Sequence, residues 1–171
     1  MIKRLKKTYN NVGKYCTDLS KAVGITILIM PPVCALVAYI MTHFYGINFA
    51  ETTDLEHIIN ILKAPAWYLI LLKFIGVGCA EESLFRQLIQ NSLFTKVLRF
   101  PRILRLVVAS MLFGAVHIFN PGPMILNLPQ AVGACFAGAW FGYLYEKRGL
   151  TFAILTHGLY DFVVVMAAIY L

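Results

Sequence analysis

Charge is what this 171-residue chain has least of: 13% of its residues are Asp, Glu, Lys or Arg, while 60% are hydrophobic. A soluble domain carries about 25% charged and about 45–50% apolar residues. The mean hydropathy is +0.73. Together these values exclude an ordinary soluble globule, and the several long apolar runs point to a polytopic membrane domain. Low-complexity tracts, internal repeats and long linkers are absent too, which leaves room for one domain. Cys16, Cys34, Cys79 and Cys135 form no CxxC pair. The last three fall inside apolar runs and are expected to be buried small hydrophobes. No HExxH helix occurs. No basic stripe interleaved with aromatics occurs either, so the net charge of +7 does not indicate a nucleic-acid partner. The basic residues stand instead at the ends of hydrophobic runs, where they orient a membrane protein.

What is present is a set of spans. Residues 1–21 are basic and too polar to cross, and read as a cytoplasmic segment. Residues 22–171 read as the transmembrane domain. The first apolar run has no clear small-residue cleavage site and is longer than a signal-peptide core, so it is expected to be retained. A span takes about 20 apolar residues. Candidates lie at about 22–46, 64–90, 103–120, 124–145 and 150–170. Pro31-Pro32 should kink or break the first. The third is short and is joined to the fourth by the tight turn Asn120-Pro121-Gly122-Pro123. With the N-terminus in the cytoplasm, twelve of the fifteen Lys and Arg residues fall on the cytoplasmic side. Only Lys63 falls opposite, beside the acidic stretch Glu51 to Glu56, and Lys73 and Arg86 stay within the membrane. This charge bias supports five crossings with the C-terminus outside. Backbone groups in lipid must pair internally, so the expected fold is all-α, a polytopic transmembrane helix bundle. Ala134, Gly138 and Gly142, at four-residue spacing, offer a small face for close helix packing.

Ionisable residues inside a bilayer are costly, about 2.5–3.5 kcal/mol each on insertion scales, and mark function by default. Here they cluster. In Glu81-Glu82-Ser83-Leu84-Phe85-Arg86, Glu82 and Arg86 lie four apart on one helical face. Glu81 is rotated by about 100° and points elsewhere. Arg86 can therefore neutralise Glu82 and leave Glu81 as a general base. A purely structural ion pair remains the alternative for Glu82 and Arg86. Phe113 and His117 share a face of the third span; alone, His117 reads as a core histidine. His157 and Asp161 share a face of the fifth, where the carboxylate can hold one ring nitrogen and aim the other at a substrate or metal. Lys73 and His43 lie near outer span ends and His57 in the outer loop, away from the site.

At these residues the chain resembles the CPBP family, the CAAX prenyl proteases and bacteriocin-processing enzymes also called Abi. The motifs Glu81-Glu82-x-x-x-Arg86, Phe113-x-x-x-His117 and His157-x-x-x-Asp161 occur in the family's order and spacing. They sit in a match of roughly residues 66–165 that includes Gly142 to Gly149. The resemblance implies an endopeptidase of the cell (inner) membrane whose site opens toward the cytoplasm. It implies that Glu81 and His117 hold and activate the attacking water, that His157 and Asp161 stabilise the oxyanion, and that Glu82 and Arg86 support the site. Many family members have Asn where this chain has Asp161, though the family also permits an acidic residue. The better-known prenyl proteases have more spans, so part of the substrate groove is expected either to be absent or to be supplied by an oligomer or partner. Partners implied are the lipid bilayer and a peptide or membrane-protein substrate, prenylated or not. No cofactor is required in this reading. The rival is a zinc site of His117, His157 and a carboxylate with an open position. Two other classes stand beside the protease: a non-catalytic scaffold or regulator with the same fold, and a proton- or ion-coupled transporter, which the lack of inverted repeats disfavours.

Overall fold

The computed structural model of the chain describes the backbone of residues 2–47 and 67–170, and side chains within 11–47 and 68–167. Among these residues every element is helical. Helix α1 spans Ile2–Tyr45. Helix α2 spans Trp67–Glu82 and passes directly into a π-helical segment, Ser83–Val97. Helix α3 spans Arg102–Val116 and ends in a single 3₁₀ turn, His117–Phe119. Helices α4, Met124–Arg148, and α5, Leu150–Tyr170, complete the bundle. The protein is an integral membrane helix bundle. Four of its helical stretches, Asn11–Tyr45, Arg102–Phe119, Met124–Arg148 and Leu150–Ala167, are long and apolar enough to cross a bilayer. Large apolar side chains such as Leu28, Leu72, Ile103 and Met111 are exposed on the outside, as lipid contact demands.

Four expectations change. The break expected at Pro31-Pro32 does not occur, because α1 runs through both prolines. Packing supplies the reason: Met30 and Cys34 lie against Gly133 of α4, and Trp140 Nε1 donates to the Ala22 carbonyl at 3.3 Å. Neighbouring helices thus hold the segment despite the lost backbone bonds. The basic N-terminal stretch is the same continuous helix from Ile2 onward. The expected second span, 64–90, overlaps α2 and the first part of the π segment and is not among the four stretches long and apolar enough to cross. Residues 64–66, Lys63, His57 and the acidic stretch Glu51 to Glu56 lie outside the described residues. Cys79, expected to be buried, is exposed, and Cys34 and Cys135 are half-buried: an apolar run in a membrane helix faces lipid as readily as protein.

The short-residue face of α4 packs as its spacing predicts. Ala134 is fully buried, and a Cβ added at Gly138 would sit 3.2 Å from the Ser110 Cα of α3. From the other side, a Cβ at Gly114 would meet the Ala131 carbonyl at 2.5 Å, so α3 and α4 touch nearly backbone to backbone. Helices α2 and α5 do the same. A Cβ at Gly158 would lie 2.9 Å from the Ile75 Cα and the Phe74 oxygen, and one at Gly78 would lie 3.1 Å from the Ile154 carbonyl. The molecule is therefore two tightly joined pairs, α2/α5 and α3/α4, with α1 laid against α4 and α5.

Candidate active site

The charged residues of α2 stand where it turns into the π segment. Wide π turns inside helices are uncommon and recur at functional sites. Glu82 and Arg86 have no exposed surface, and Arg86 Nε donates to Glu82 Oε2 at 2.8 Å, as the four-residue spacing predicts. The second Glu82 oxygen crosses to α5: His157 Nδ1 donates to Glu82 Oε1 at 3.0 Å. The glycine contact at Gly158, next in sequence to His157, brings the two backbones close enough for this bond.

On its other nitrogen, His157 Nε2 lies 3.3 Å from Asp161 Oδ2 and 3.8 Å from Glu81 Oε2. The expected pairing of His157 with Asp161 is present. The expectation that its other nitrogen aims at substrate or metal is corrected, because Nδ1 is taken by Glu82. His157 is 5% exposed and stacks on Phe141, with ring centroids 4.8 Å apart. The ring is thus fixed by two acids and an aromatic face.

Glu81 is the residue left over. Its side chain is 31% exposed, and its Oε2 makes no hydrogen bond among the described residues. Geometry therefore agrees with the sequence in separating it from the Glu82–Arg86 pair. His117 comes from the other half of the molecule, at the start of the 3₁₀ turn. Its Nδ1 donates to the Phe113 carbonyl at 2.7 Å, which sets the tautomer and leaves Nε2 with a free lone pair.

Phe113 joins the two halves. Its ring is edge-on to Phe85 with centroids 5.1 Å apart, 4.9 Å from His117 and 5.8 Å from His157. The Arg86 guanidinium carbon lies 5.1 Å from the ring centre, within cation–π range. Of the six residues singled out from the sequence, Arg86, His117 and His157 thus lie against one aromatic ring, and Glu81, Glu82 and Asp161 face His157. Sequence reasoning missed the Glu82–His157 bond and the Phe141 stack, which join residues too far apart in the chain for periodicity to reveal. It also missed a polar chain leading away from the site: Gln90 Nε2 donates to the Gly142 carbonyl and to Glu146 Oε1, both at 3.3 Å.

The donor set does not fit the zinc alternative. Among the described residues no three His, Cys, Asp or Glu side chains converge as metal ligands, and both nitrogens of His157 face carboxylates.

A family model described as Type II CAAX prenyl endopeptidase Rce1-like matches residues 63–163, a stretch that contains all six site residues. No curated protein and no solved structure matches the chain.

Proposed function

The chain belongs to the Rce1-like family of type II CAAX prenyl endopeptidases, and we propose that it hydrolyses a peptide bond inside the membrane with a water activated by Glu81. The single observation that carries this is Glu81 itself: a carboxylate 31% exposed whose Oε2 makes no hydrogen bond and lies 3.8 Å from His157 Nε2, whereas Asp18, Glu82 and Glu146 are each tied to an arginine among the described residues. A base needs a free lone pair, and Glu81, with Oε2 free of hydrogen bonds and part of its side chain exposed, can supply one. His117, whose Nδ1 is occupied by its own helix, offers Nε2 to the same water.

In the proposed step the water oxygen bonds to the scissile carbonyl carbon as Glu81 takes one of its protons. The carbonyl oxygen becomes an oxyanion, which accepts a hydrogen bond from His157 Nε2–H or from a protonated Asp161, the two groups lying 3.3 Å apart. Glu81 then returns its proton to the departing nitrogen. The carbon–nitrogen bond breaks, leaving one carboxylic acid and one amine. Glu82 and Arg86 act through His157: the ion pair holds Glu82 so that its free oxygen fixes the ring. The substrate class supported by the family is a membrane-delivered peptide, with a prenylated C-terminus as the first candidate.

Comparative proteomics of membranes from strains carrying the wild-type chain or Glu81→Ala tests the proposal and finds the substrate. An uncleaved membrane protein or peptide should accumulate with Glu81→Ala while the variant remains folded and present. Equal cleavage in the two strains refutes the role of Glu81. A scaffold would instead show no cleavage difference but altered partner levels, and a transporter would show flux in liposomes.

A further inference from the structure

At one end of the bundle, away from the acids of the site, lies an open cleft of about 800 Å³. It is bordered by Arg102, Arg105, Glu146, Lys147 and the Gly149–Leu150 junction, with Gln87 and Asn91 of the π segment on the opposite wall. We propose that this cleft is a binding site for a phosphate group, carried by the headgroup of an anionic lipid.

Three observations meet there. The first is how the arginines are held. Glu146, buttressed by Gln90, accepts from Arg102 Nε at 2.7 Å and from Arg105 Nε at 3.0 Å. Arg105 Nη2 adds a further contact to Glu146 Oε1 at 3.0 Å. Glu146 thus takes the inner edge of both guanidinium groups and fixes their orientation. Among the described residues no hydrogen bond or ion pair reaches Arg102 Nη or Arg105 Nη1, and the Arg102 guanidinium carbon lies 6.0 Å from the centre of the Tyr143 ring. A pre-oriented guanidinium fork is the geometry that binds phosphate oxygens in pairs. The second is backbone charge. Helices α3 and α5 both begin at this cleft, at Arg102 and Leu150, and their first N–H groups precede any intrahelical partner. Two helix N-termini bring free donors to the cleft, and the last turn of α4, Tyr145 to Lys147, borders it as well. With Lys147 beside them, three cations face one acid, and that acid is already satisfied.

The third observation identifies the source of the phosphate. Arg102 has 51% of its side chain exposed, and Ile103, next along the same helix, is 78% exposed, with Val97 and Leu98 exposed nearby. Guanidinium at the rim beside uncovered aliphatic side chains suits a molecule with a charged head and an acyl tail. A free phosphate would use the head contacts alone. A basic pocket between helix ends at the headgroup level has this recognition chemistry.

The alternative is that these cations only orient the chain by their total charge. Lys96 separates the two readings: it is exposed at the end of the neighbouring π segment and does not border the cleft. Purified full-length chain in phosphatidylcholine nanodiscs is titrated with phosphatidylglycerol, and retained lipid is counted by native mass spectrometry. The wild type and Lys96→Gln should retain phosphatidylglycerol in preference to phosphatidylcholine. The Arg102→Gln/Lys147→Gln double variant should lose that preference by roughly tenfold or more. Both replaced side chains border an open cleft, and circular dichroism checks that the helices persist. Loss of equal size in Lys96→Gln, or no loss in the double variant, overturns the site. Inorganic phosphate at millimolar concentration should fail to displace the lipid. Displacement would keep the phosphate chemistry and overturn the lipid as its source.

Discussion

Replacing Glu82 by alanine should unfold the protein far more readily than replacing Glu81, although the two are adjacent. The difference follows from where each charge ends. Arg86 is fully buried, and its Nη1 and Nη2 already have no partner among the described residues, so Glu82 supplies its one hydrogen bond and its counter-charge. Removing one partner of a buried ion pair costs about 3–5 kcal/mol. The lost hydrogen bond from His157 Nδ1 adds about 1 kcal/mol, for a total of about 4–6 kcal/mol. Glu81 has 31% of its side chain exposed and no hydrogen bond on Oε2, so Glu81→Ala should stay within about 1 kcal/mol of wild type. The Glu82→Met/Arg86→Met double variant, which removes both charges and keeps volume, should recover most of the loss. Equilibrium unfolding in mixed detergent micelles, followed by far-ultraviolet circular dichroism, measures all three. If Glu82→Ala lies within 1 kcal/mol of Glu81→Ala, or the double variant is less stable than the single, the ion pair does not hold the bundle as described.

Gly158→Ala should separate α5 from α2, because its Cβ would stand 2.9 Å from the Ile75 Cα and the Phe74 oxygen; a loss of about 1–3 kcal/mol is expected, with cleavage falling further as the Glu82–His157 bond lengthens. Asp161→Asn should retain cleavage within roughly tenfold if the side chain donates to the oxyanion, since an amide donates where a carboxylate only accepts; a larger loss, measured on the substrate found by proteomics, assigns Asp161 to orienting His157 instead. Chelator treatment should leave turnover unchanged and elemental analysis should find less than one zinc per chain, as the arrangement of His117, His157 and the acids predicts.

Contacts within one helix were legible in the sequence, and contacts between helices were not. The spacing of Glu82 and Arg86 forecast their ion pair, and the same geometry forecast Glu81 as the acid left over. The spacings of Phe113 with His117 and of His157 with Asp161 did equal service. Spacing says nothing about a bond between residues 75 positions apart, such as Glu82 and His157. It equally hid the three-way tie of Gln90, Arg102 and Arg105 to Glu146, whose partners sit on two other helical segments. Proline misled because the rule for its effect concerns an isolated helix, whereas α1 is held along its length by α4. The π segment left no mark on composition, since its residues, Ser83 to Val97, read as an ordinary amphipathic helix. The resemblance to a protease family rested on within-helix motifs, which explains why it could be stated before any tertiary contact was known.

The glycine contacts divide the mechanics of the molecule unevenly. Backbone against backbone has almost no slack, so α2 moves with α5, and α3 moves with α4, each as one stiff plate. Glu81, Glu82, His157 and Asp161 all ride on the first plate and keep their mutual distances when the protein breathes. His117 rides on the second. Across the joint lie the Phe113 ring, the one-residue Gly149 link between α4 and α5 and the packing of α1 against both of those helices. Glu81 and His117 stand on opposite plates, so their separation answers to how the plates sit against each other, while the distances among Glu81, Glu82, His157 and Asp161 do not.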